Sequence, residues 1–287
     1  MEKAVQLRAG ATIPVRGLRA ADIPACLVLT ADRDWIPEPR KWSLLLDVGE
    51  GYGIDDPDGG LAGAVVLIRY GDTLASAAMM LVATRHGGRG LGRALMSHLL
   101  DQAGGATVFL HATEYGRPLY EKLGFRPWGT VTRMTGRFQP LADDPQQQTR
   151  AAAEQDVAAI IGLDADVYGA DRGRLLRRLL PTVDQVRVLE RDQEIVGYAA
   201  AWRGASGAVI GPVIAADDSA ARMLVTDVAT RVDDPLRIDP DPAHPDLAEW
   251  MGARGMSPTS ASSFMVYGAW PRGDRSRLFA PVNVALG

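Results

Sequence analysis

The chain has 287 residues, of which 47% are apolar, and its formal net charge is −4 at pH 7. This length suits two domains of about 140 residues each, and the acidic balance gives nucleic-acid binding no electrostatic support. No apolar run approaches the ~18 residues of a membrane span, the start "MEKAVQLRAG" lacks a signal-peptide core, and the single Cys26 excludes a disulfide framework or a cysteine-based zinc site, so we expect a cytoplasmic protein that binds neither membrane nor nucleic acid.

The first half of the chain follows an α+β pattern. Asp22 predicts a helix N-cap, with Pro24 in the first turn, and "EPRKWSLLLDV" predicts a second short helix. Apolar runs then predict three strands, at about 51–55, 61–70 and 73–83. They are followed by a helix at about 90–103, a strand at 106–112 and a short helix at 116–123.

The second half repeats this order after a break. "QPLADDPQQQT" (139–149) has no apolar period and has the composition of a linker. Beyond it, two short helices, three strands, a helix, a strand and a short helix recur, which indicates an internal duplication. We therefore predict domains at 1–138 and 150–270, a linker at 139–149 and a C-terminal tail at 271–287.

Four glycines in six positions join the third strand to the longer helix, in "VATRHGGRGLGRALM" (82–96). Glycine weakens strands and helices, so such a cluster indicates positive φ angles or a close approach of a ligand to the backbone. Free N–H groups at the positive end of a helix dipole favour a phosphate or pyrophosphate, and Arg85, Arg89 and Arg93 add positive charge.

Three phosphate-binding patterns compete for this joint. A P-loop requires Gly-Lys-Ser/Thr, but Arg93-Ala94 follows the glycines. A dinucleotide fingerprint requires GxGxxG in an opening βαβ unit, and both the spacing and the position differ here. Gly90-Leu91-Gly92 resembles the pyrophosphate loop of the GNAT N-acetyltransferase superfamily, although that pattern's usual Arg or Gln falls on Gly87, where Arg85 or Arg89 could compensate.

A second string, "ATEYGRPLYEKLGFRPW" (112–128), is similar to a later block of the same superfamily. Gly124 suits a helix C-cap. The resemblance implies that Tyr120 is the general acid for the departing thiolate, that Leu81 and Val82 lie where a backbone donor faces the oxyanion, and that Thr113 replaces an asparagine often found near the pantetheine. The expected coenzyme-binding residues are Leu81, Val82, Ala83, Gly87, Gly88, Arg89, Gly90, Leu91, Gly92, Arg93, Ala94 and Thr113.

The general base for the acceptor amine is not defined by the sequence. Members of the superfamily often use a glutamate on the fourth strand, but "SAAMMLVA" has no carboxylate. The candidates are Glu114, His111, Asp34 and Glu38, and a chain of water molecules is the alternative. Aromatic and thioether side chains suggest either an apolar acceptor pocket or core packing, at Met79, Met80, Trp35 and Trp42.

The second half has lost the glycine joint. "ADDSAARML" follows its third strand, so Asp217 and Asp218 stand where a diphosphate would bind, and Met251 takes the place of Tyr120. The strings "YGADR" (168–172) and "IGPV" (210–213) make the chain resemble a tandem-GNAT subfamily with a degenerate second domain. Tyr168, Asp171 and Arg172 either cap a helix and form a surface ion pair, or help to line a ligand cleft between the two halves.

This resemblance implies two GNAT-like α/β domains, each with a mixed, mostly antiparallel sheet flanked by helices. The implied activity is direct acetyl transfer from acetyl-CoA, as co-substrate, to a small-molecule amine, without a metal. A CoA or acyl-CoA sensor without turnover is the alternative, and a structural partner that binds no coenzyme is a third. Composition adds a bacterial source; the acceptor and the oligomeric state are not indicated.

Overall fold

A computed structural model describes residues 4–6, 12–142, 144 and 149–287. These residues form two compact units that interleave along the chain. The first unit takes the described residues up to Leu110, together with Tyr115–Arg126 and Val266–Trp270. The second takes His111–Glu114, the described part of Pro127–Met265, and Pro271–Gly287.

The first unit contains helices, a sheet with the strand order β3-β4-β5-β6-β7, and a separate β1–β2 pair. The β3–β4, β4–β5 and β5–β6 pairs are antiparallel, whereas β6–β7 is parallel. The elements are β1 (Ala4–Gln6), β2 (Thr12–Pro14), β3 (Arg16–Gly17), α1 (Ile23–Asp32), α2 (Pro39–Val48), β4 (Glu50–Asp55), β5 (Leu61–Tyr70), β6 (Leu74–Val82), α3 (Leu91–Ala103), β7 (Thr107–Ala112) and α4 (Arg117–Lys122).

The second unit repeats this element order and has the strand order β14-β8-β13-β12-β11-β10-β9, with β15 paired to β12. The β12–β13 pair is parallel, and β10–β11 and β11–β12 are antiparallel. Its elements are β8 (Arg126–Gly136), β9 (Thr149–Ala151), α5 (Val157–Tyr168), α6 (Gly173–Leu179), β10 (Gln185–Arg191), β11 (Glu194–Gly204), β12 (Gly207–Ile214), α7 (Asp218–Ala229), β13 (Leu236–Ile238), α8 (Pro245–Gly252), β14 (Met256–Tyr267) and β15 (Leu278–Ala280).

Strands β6 and β7 separate before either one ends. Their registered pairs run only from Leu74↔Thr107 to Ser76↔Phe109, although β6 continues to Val82. A β-bulge then places Met79 and Met80 opposite one residue of β5, and Met79 has a φ of 50°. Such a bulge increases the local twist of its strand. Beyond Ser76, the β7-facing edge of β6 is therefore not covered by β7.

The helices and central strands predicted from the sequence are confirmed to within a few residues. Asp22 stands at the N-cap position of α1, but its carboxylate accepts hydrogen bonds from the Arg19 backbone N–H and from Arg16. Thr149, at the end of the predicted linker, already belongs to β9. Residues 143 and 145–148 of that linker lie outside the described residues, and the division at 139–149 stays a prediction.

Segment 271–287, which has no clear sequence pattern, contains a 3₁₀ turn at Arg275–Arg277 and then β15. Within the described part of the chain, no helix has the length and apolar character needed to span a bilayer.

Candidate active site

The N-terminus of α3 presents a row of backbone donors without protein partners. Within the described residues, no protein acceptor is found for the N–H groups of residues 88–93. The neighbouring amides are occupied: Ala83 donates to Ala62 C=O at 2.9 Å, Gly87 to Thr84 C=O at 3.1 Å, and Ala94 to Gly90 C=O at 3.0 Å. The donors at 88–93 lie at the positive end of the α3 dipole, where an anion is stabilised.

The glycines of this loop meet two separate constraints, backbone conformation and close packing. Gly88 and Gly90 have φ angles of 74° and 84°, in the left-handed region that costs other residues roughly 1–2 kcal/mol. Gly92 is helical, but a Cβ there would lie 3.1 Å from Leu119 Cδ2 and 3.3 Å from Met80 Cε. The first turn of α3 therefore packs directly against α4 and the bulge of β6.

The three arginines of the joint have different environments. Arg89 and Arg93 are exposed, and neither has an ion-pair partner among the residues that the structure describes. Arg85 instead pairs with Asp56, with Nε 3.0 Å from Oδ2. Arg85 therefore does not compensate as a free cation for the Arg or Gln missing at Gly87, and Arg89 and Arg93 are the available charges.

Asp56 fixes the start of the glycine loop. Its buried carboxylate accepts hydrogen bonds from the backbone of Asp58 at 2.9 Å, from His86 Nε2 and from Arg85. These hydrogen bonds lower the pKa of Asp56 from 3.8 to about 2. The bond from the Asp58 N–H has the largest effect, and the His86 contact has the next largest. The ionised carboxylate is therefore the stable form at neutral pH.

The edge of β6 supplies a further backbone donor. Because Ala83 N–H bonds to β5 and the pairs of an antiparallel ladder alternate, the N–H of Leu81 also points to β5, whereas that of Val82 points to the opposite side. That side is the edge that β7 leaves after Ser76. Of the predicted pair Leu81 and Val82, Val82 is thus the residue whose amide faces this edge.

Tyr120 lies on α4, which ends in a Schellman motif: Phe125 N–H donates to Tyr120 C=O at 3.0 Å, and Gly124, with φ 96°, donates to Glu121 C=O at 3.1 Å. The predicted C-cap role of Gly124 is therefore confirmed. The phenol ring packs edge-on against Phe125, 5.8 Å between centroids. Burial raises the pKa of Tyr120 to about 12, and its hydroxyl has no hydrogen-bond partner among the described residues.

The two tryptophans predicted as either pocket or core have different environments. Trp42 is fully buried and donates to Thr30 Oγ1 at 3.0 Å, so it is a core residue. Trp35 is 41% exposed, in the loop between α1 and α2. Arg33, the first residue of that loop, donates to Thr84 Oγ1 at 3.2 Å and stacks over the exposed Tyr115 ring at 5.2 Å, which joins the loop to the start of the glycine joint.

The candidate bases lie in different surroundings. Asp34 and Glu114 are exposed, and Glu38 lies 4.0 Å from Lys41. His111 belongs to the second unit, where burial lowers its pKa to about 4 and its Nδ1 has no hydrogen-bond partner. Thr113 is exposed and belongs to the second unit as well. Across the described residues, no three His, Cys, Asp or Glu side chains are grouped to hold a metal ion.

The corresponding helix start in the second unit is capped by the chain itself. Asp217 is the N-cap of α7, its carboxylate accepts from Ala220 N–H at 2.8 Å, and it pairs with Arg191 at 2.6 Å. The pKa of Asp217 is lowered, mainly by Arg191 and then by the Ala220 bond. A carboxylate thus takes the place that is left free at residues 88–93.

Comparison with known proteins identifies the family of both halves of the chain. Residues 51–127 match one family model and residues 160–280 match another, and both are described as "Acetyltransferase (GNAT) domain". The chain belongs to the GNAT acetyltransferase superfamily. It carries two GNAT domains, so the tandem organisation inferred from the sequence is confirmed.

Relatives of this tandem GNAT protein share its fold at low identity. "Uncharacterized N-acetyltransferase YitH" of Bacillus subtilis is 26% identical over 251 residues, 86% of this chain and 89% of its own. A candidate acetyltransferase from Pyrococcus horikoshii superposes with a TM-score of 0.82 at 17% identity, over 99% of this chain and 98% of that one. A tandem GNAT protein from the clavulanic acid biosynthesis pathway gives 0.60 at 16% identity, over 90% and 98%.

Asp56→Asn tests the anchoring of the glycine loop. An amide keeps the size of the side chain but loses the charge that holds Arg85 and His86, so we expect roughly tenfold faster amide hydrogen exchange at residues 84–88. The exposed Asp58→Asn variant is the control. Folding lowers the pKa of Asp56. The ionised carboxylate therefore stabilises the folded protein fully above pH 3.8, and this stabilisation is lost as the pH falls through about 2. Equal exchange in both variants would contradict this role.

Proposed function

We propose that the first GNAT domain transfers an acetyl group from acetyl-CoA directly to an amine, through Tyr120 and the α3 N-terminus. The observation that carries this proposal is the row of unpartnered N–H groups at residues 88–93, next to the uncovered edge of β6. Membership of the GNAT superfamily supports acetyl-CoA as the donor. The acceptor is an amine whose further chemistry the site does not specify.

The donor-binding residues act through their backbone. The amides of Gly88, Arg89, Gly90, Leu91, Gly92 and Arg93 would hold the pyrophosphate, and the side chains of Arg89 and Arg93 would add positive charge. Val82 N–H would meet the thioester arm, where a fixed donor stabilises a developing oxyanion. Leu81, Ala83, Gly87 and Ala94 would then shape the site, because their own amides are used within the chain.

Tyr120 is suited to act as a general acid. Acetyl-CoA supplies an activated thioester, and the departing sulfur requires a proton when the amine takes the acetyl group. A phenol whose pKa is raised to about 12 is fully protonated at physiological pH, and its hydroxyl is not committed to another group in the described part of the chain. We assign no base among Glu114, His111, Asp34 and Glu38. Strand β6 has no carboxylate, which favours removal of the amine proton through water.

The second GNAT domain would bind no coenzyme at its helix start. Asp217 fills the N-terminus of α7 with a carboxylate that would repel a diphosphate. Met251, buried in α8, takes the place of Tyr120 and has no proton to donate. We therefore assign donor binding to the first domain and treat the second as degenerate.

A CoA or acyl-CoA sensor without turnover is the second candidate, favoured by Gly87 in place of the usual Arg or Gln and by the lack of a base on β6. A thiol-release screen of acetyl-CoA with amine libraries separates the two. Release that depends on an amine supports the enzyme, whereas tight donor binding without release across a broad panel supports the sensor.

Tyr120→Phe should lower kcat by roughly 10- to 1000-fold, with little change in the Kd for acetyl-CoA, because only the hydroxyl proton is removed. Because the pKa of Tyr120 is raised by burial, the wild-type alkaline decline due to this group should lie near pH 12 rather than 10. The pH profile of kcat for both proteins checks this. An unchanged kcat, with chemistry limiting the rate, would remove Tyr120 from the mechanism.

The double variant Arg89→Gln/Arg93→Gln should raise the Kd for CoA by roughly 3- to 30-fold, since two exposed cations beside the phosphates are lost. The difference from wild type should shrink as salt is added. Arg40→Gln, which removes an exposed arginine from α2, is the matched control. Calorimetry provides both Kd values, and identical values would place the phosphates elsewhere.

A further inference from the structure

In the second GNAT domain, segment 271–287 fills the gap that the first domain leaves between its parallel strands. The pairs of β12 with β13 end at Ile210↔Ile238, as those of β6 with β7 end at Ser76. Beyond this point β12 pairs instead with β15, at Val213↔Ala280 and Ile214↔Leu278. Val213 and Ile214 have the same position along β12 as Leu81 and Val82 have along β6, directly after the bulge.

Strand β15 is bonded on both of its sides. Ala215 N–H, at the end of β12, donates to Arg277 C=O at 3.0 Å, and Asp241 N–H, after β13, donates to Phe279 C=O at 2.8 Å. Phe279 is buried and stacks on His244 with 3.8 Å between ring centroids. The segment thus satisfies the backbone groups that a ligand in this groove would meet.

Gly211, in the bulge of β12, allows the segment to approach. A Cβ on Gly211 would lie 2.2 Å from Pro281 O and 2.7 Å from Val282 O, both backbone atoms. A side chain at this position is therefore incompatible with the segment in its observed place. The glycine belongs to the "IGPV" string that the sequence analysis singled out without a function.

The "YGADR" string (168–172) holds the same segment at two points. A Cβ on Gly169 would lie 2.6 Å from Arg272 O, so the chain at 272–273 passes directly over this glycine. Arg172 is fully buried, and its Nη1 donates to Gly287 C=O at 2.9 Å. Its Nε and Nη2 form a bidentate pair with Asp164 at 2.8 and 2.9 Å. This pair fixes the orientation of the guanidinium independently of the segment.

We propose that segment 271–287 is a built-in occupant of the second domain's groove, recognised by Gly169, Arg172 and Gly211 in place of a pantetheine arm. The "YGADR" and "IGPV" strings then form one recognition site for this segment. It follows that each chain binds a single coenzyme, in its first domain. This consequence rests on the function proposed above. The occupancy itself is independent of that function.

Amide hydrogen exchange on the full chain tests the occupancy without any substitution. Residues 278–282 should exchange as slowly as the β12 residues beside them, because both have their backbone groups buried and bonded. Exchange at the rate of an exposed loop would overturn the proposal, since the segment would then leave the groove readily.

Gly211→Ala should expel the segment, because the new Cβ has only backbone atoms to displace. We expect roughly 10- to 100-fold faster exchange at residues 278–282, with residues 88–94 of the first domain unchanged. Gly162→Ala in α5, where a Cβ meets nothing within 4 Å, is the matched control. If Gly211→Ala does not fold, Arg172→Lys, which keeps the charge but loses the planar fork, should loosen residues 284–287 in the same way. Unchanged exchange of the segment in the variant that folds would contradict the proposed recognition.

Titration with CoA tests the stoichiometry. One CoA per chain, with slower exchange at residues 84–94 and no change at 274–287, is the expected result. Two CoA per chain, or faster exchange of 274–287 upon addition of CoA, would show that the coenzyme displaces the segment and would overturn the inference. An absence of CoA binding would refute the proposed donor site, and the exchange of residues 278–282 would still decide the occupancy.

Discussion

The separation of a parallel strand pair is the constraint on which both domains depend. In the first, β6 and β7 part after Ser76, and the bulge at Met79 and Met80 turns the rest of β6 away. A strand edge inside a sheet has backbone groups that need partners. The fold therefore creates a groove that must be filled by water, by a ligand or by another part of the chain.

The two domains satisfy this need in opposite ways. In the first, the amides at 88–93 and the edge at Val82 have no protein partner among the described residues, which suits the proposed donor, and Asp56 fixes the loop that leads to them. The second places Asp217 at its helix start and β15 along the strand edge. In the second domain, the same strand geometry forms an internal packing surface for β15, which is compatible with the proposal that this domain binds no coenzyme.

Local signals in the sequence are sufficient to locate the elements that carry the proposed site of the first domain. The glycines at the start of α3 and Gly124 after α4 are needed because of their own φ angles, so a pattern of neighbours is sufficient to find them. Asp56 was missed, since its partners Arg85 and His86 lie in another loop and an aspartate in a turn is unremarkable. The availability of Val82 rather than Leu81 depends on ladder register, which the sequence does not give.

Segment 271–287 shows why the rest was beyond the sequence. Strand β15 is only three residues long and pairs with a strand more than sixty residues earlier, so it has no period or turn signal of its own. Arg172 meets the segment through the backbone carbonyl of Gly287, a group that any residue type can provide. Removing one member of a buried ion pair leaves an uncompensated charge at a cost of about 3–5 kcal/mol, so Asp164 and Arg172 depend on each other. Because Arg172 also donates to the Gly287 carbonyl, this buried pair links the "YGADR" string to a segment more than one hundred residues later in the chain.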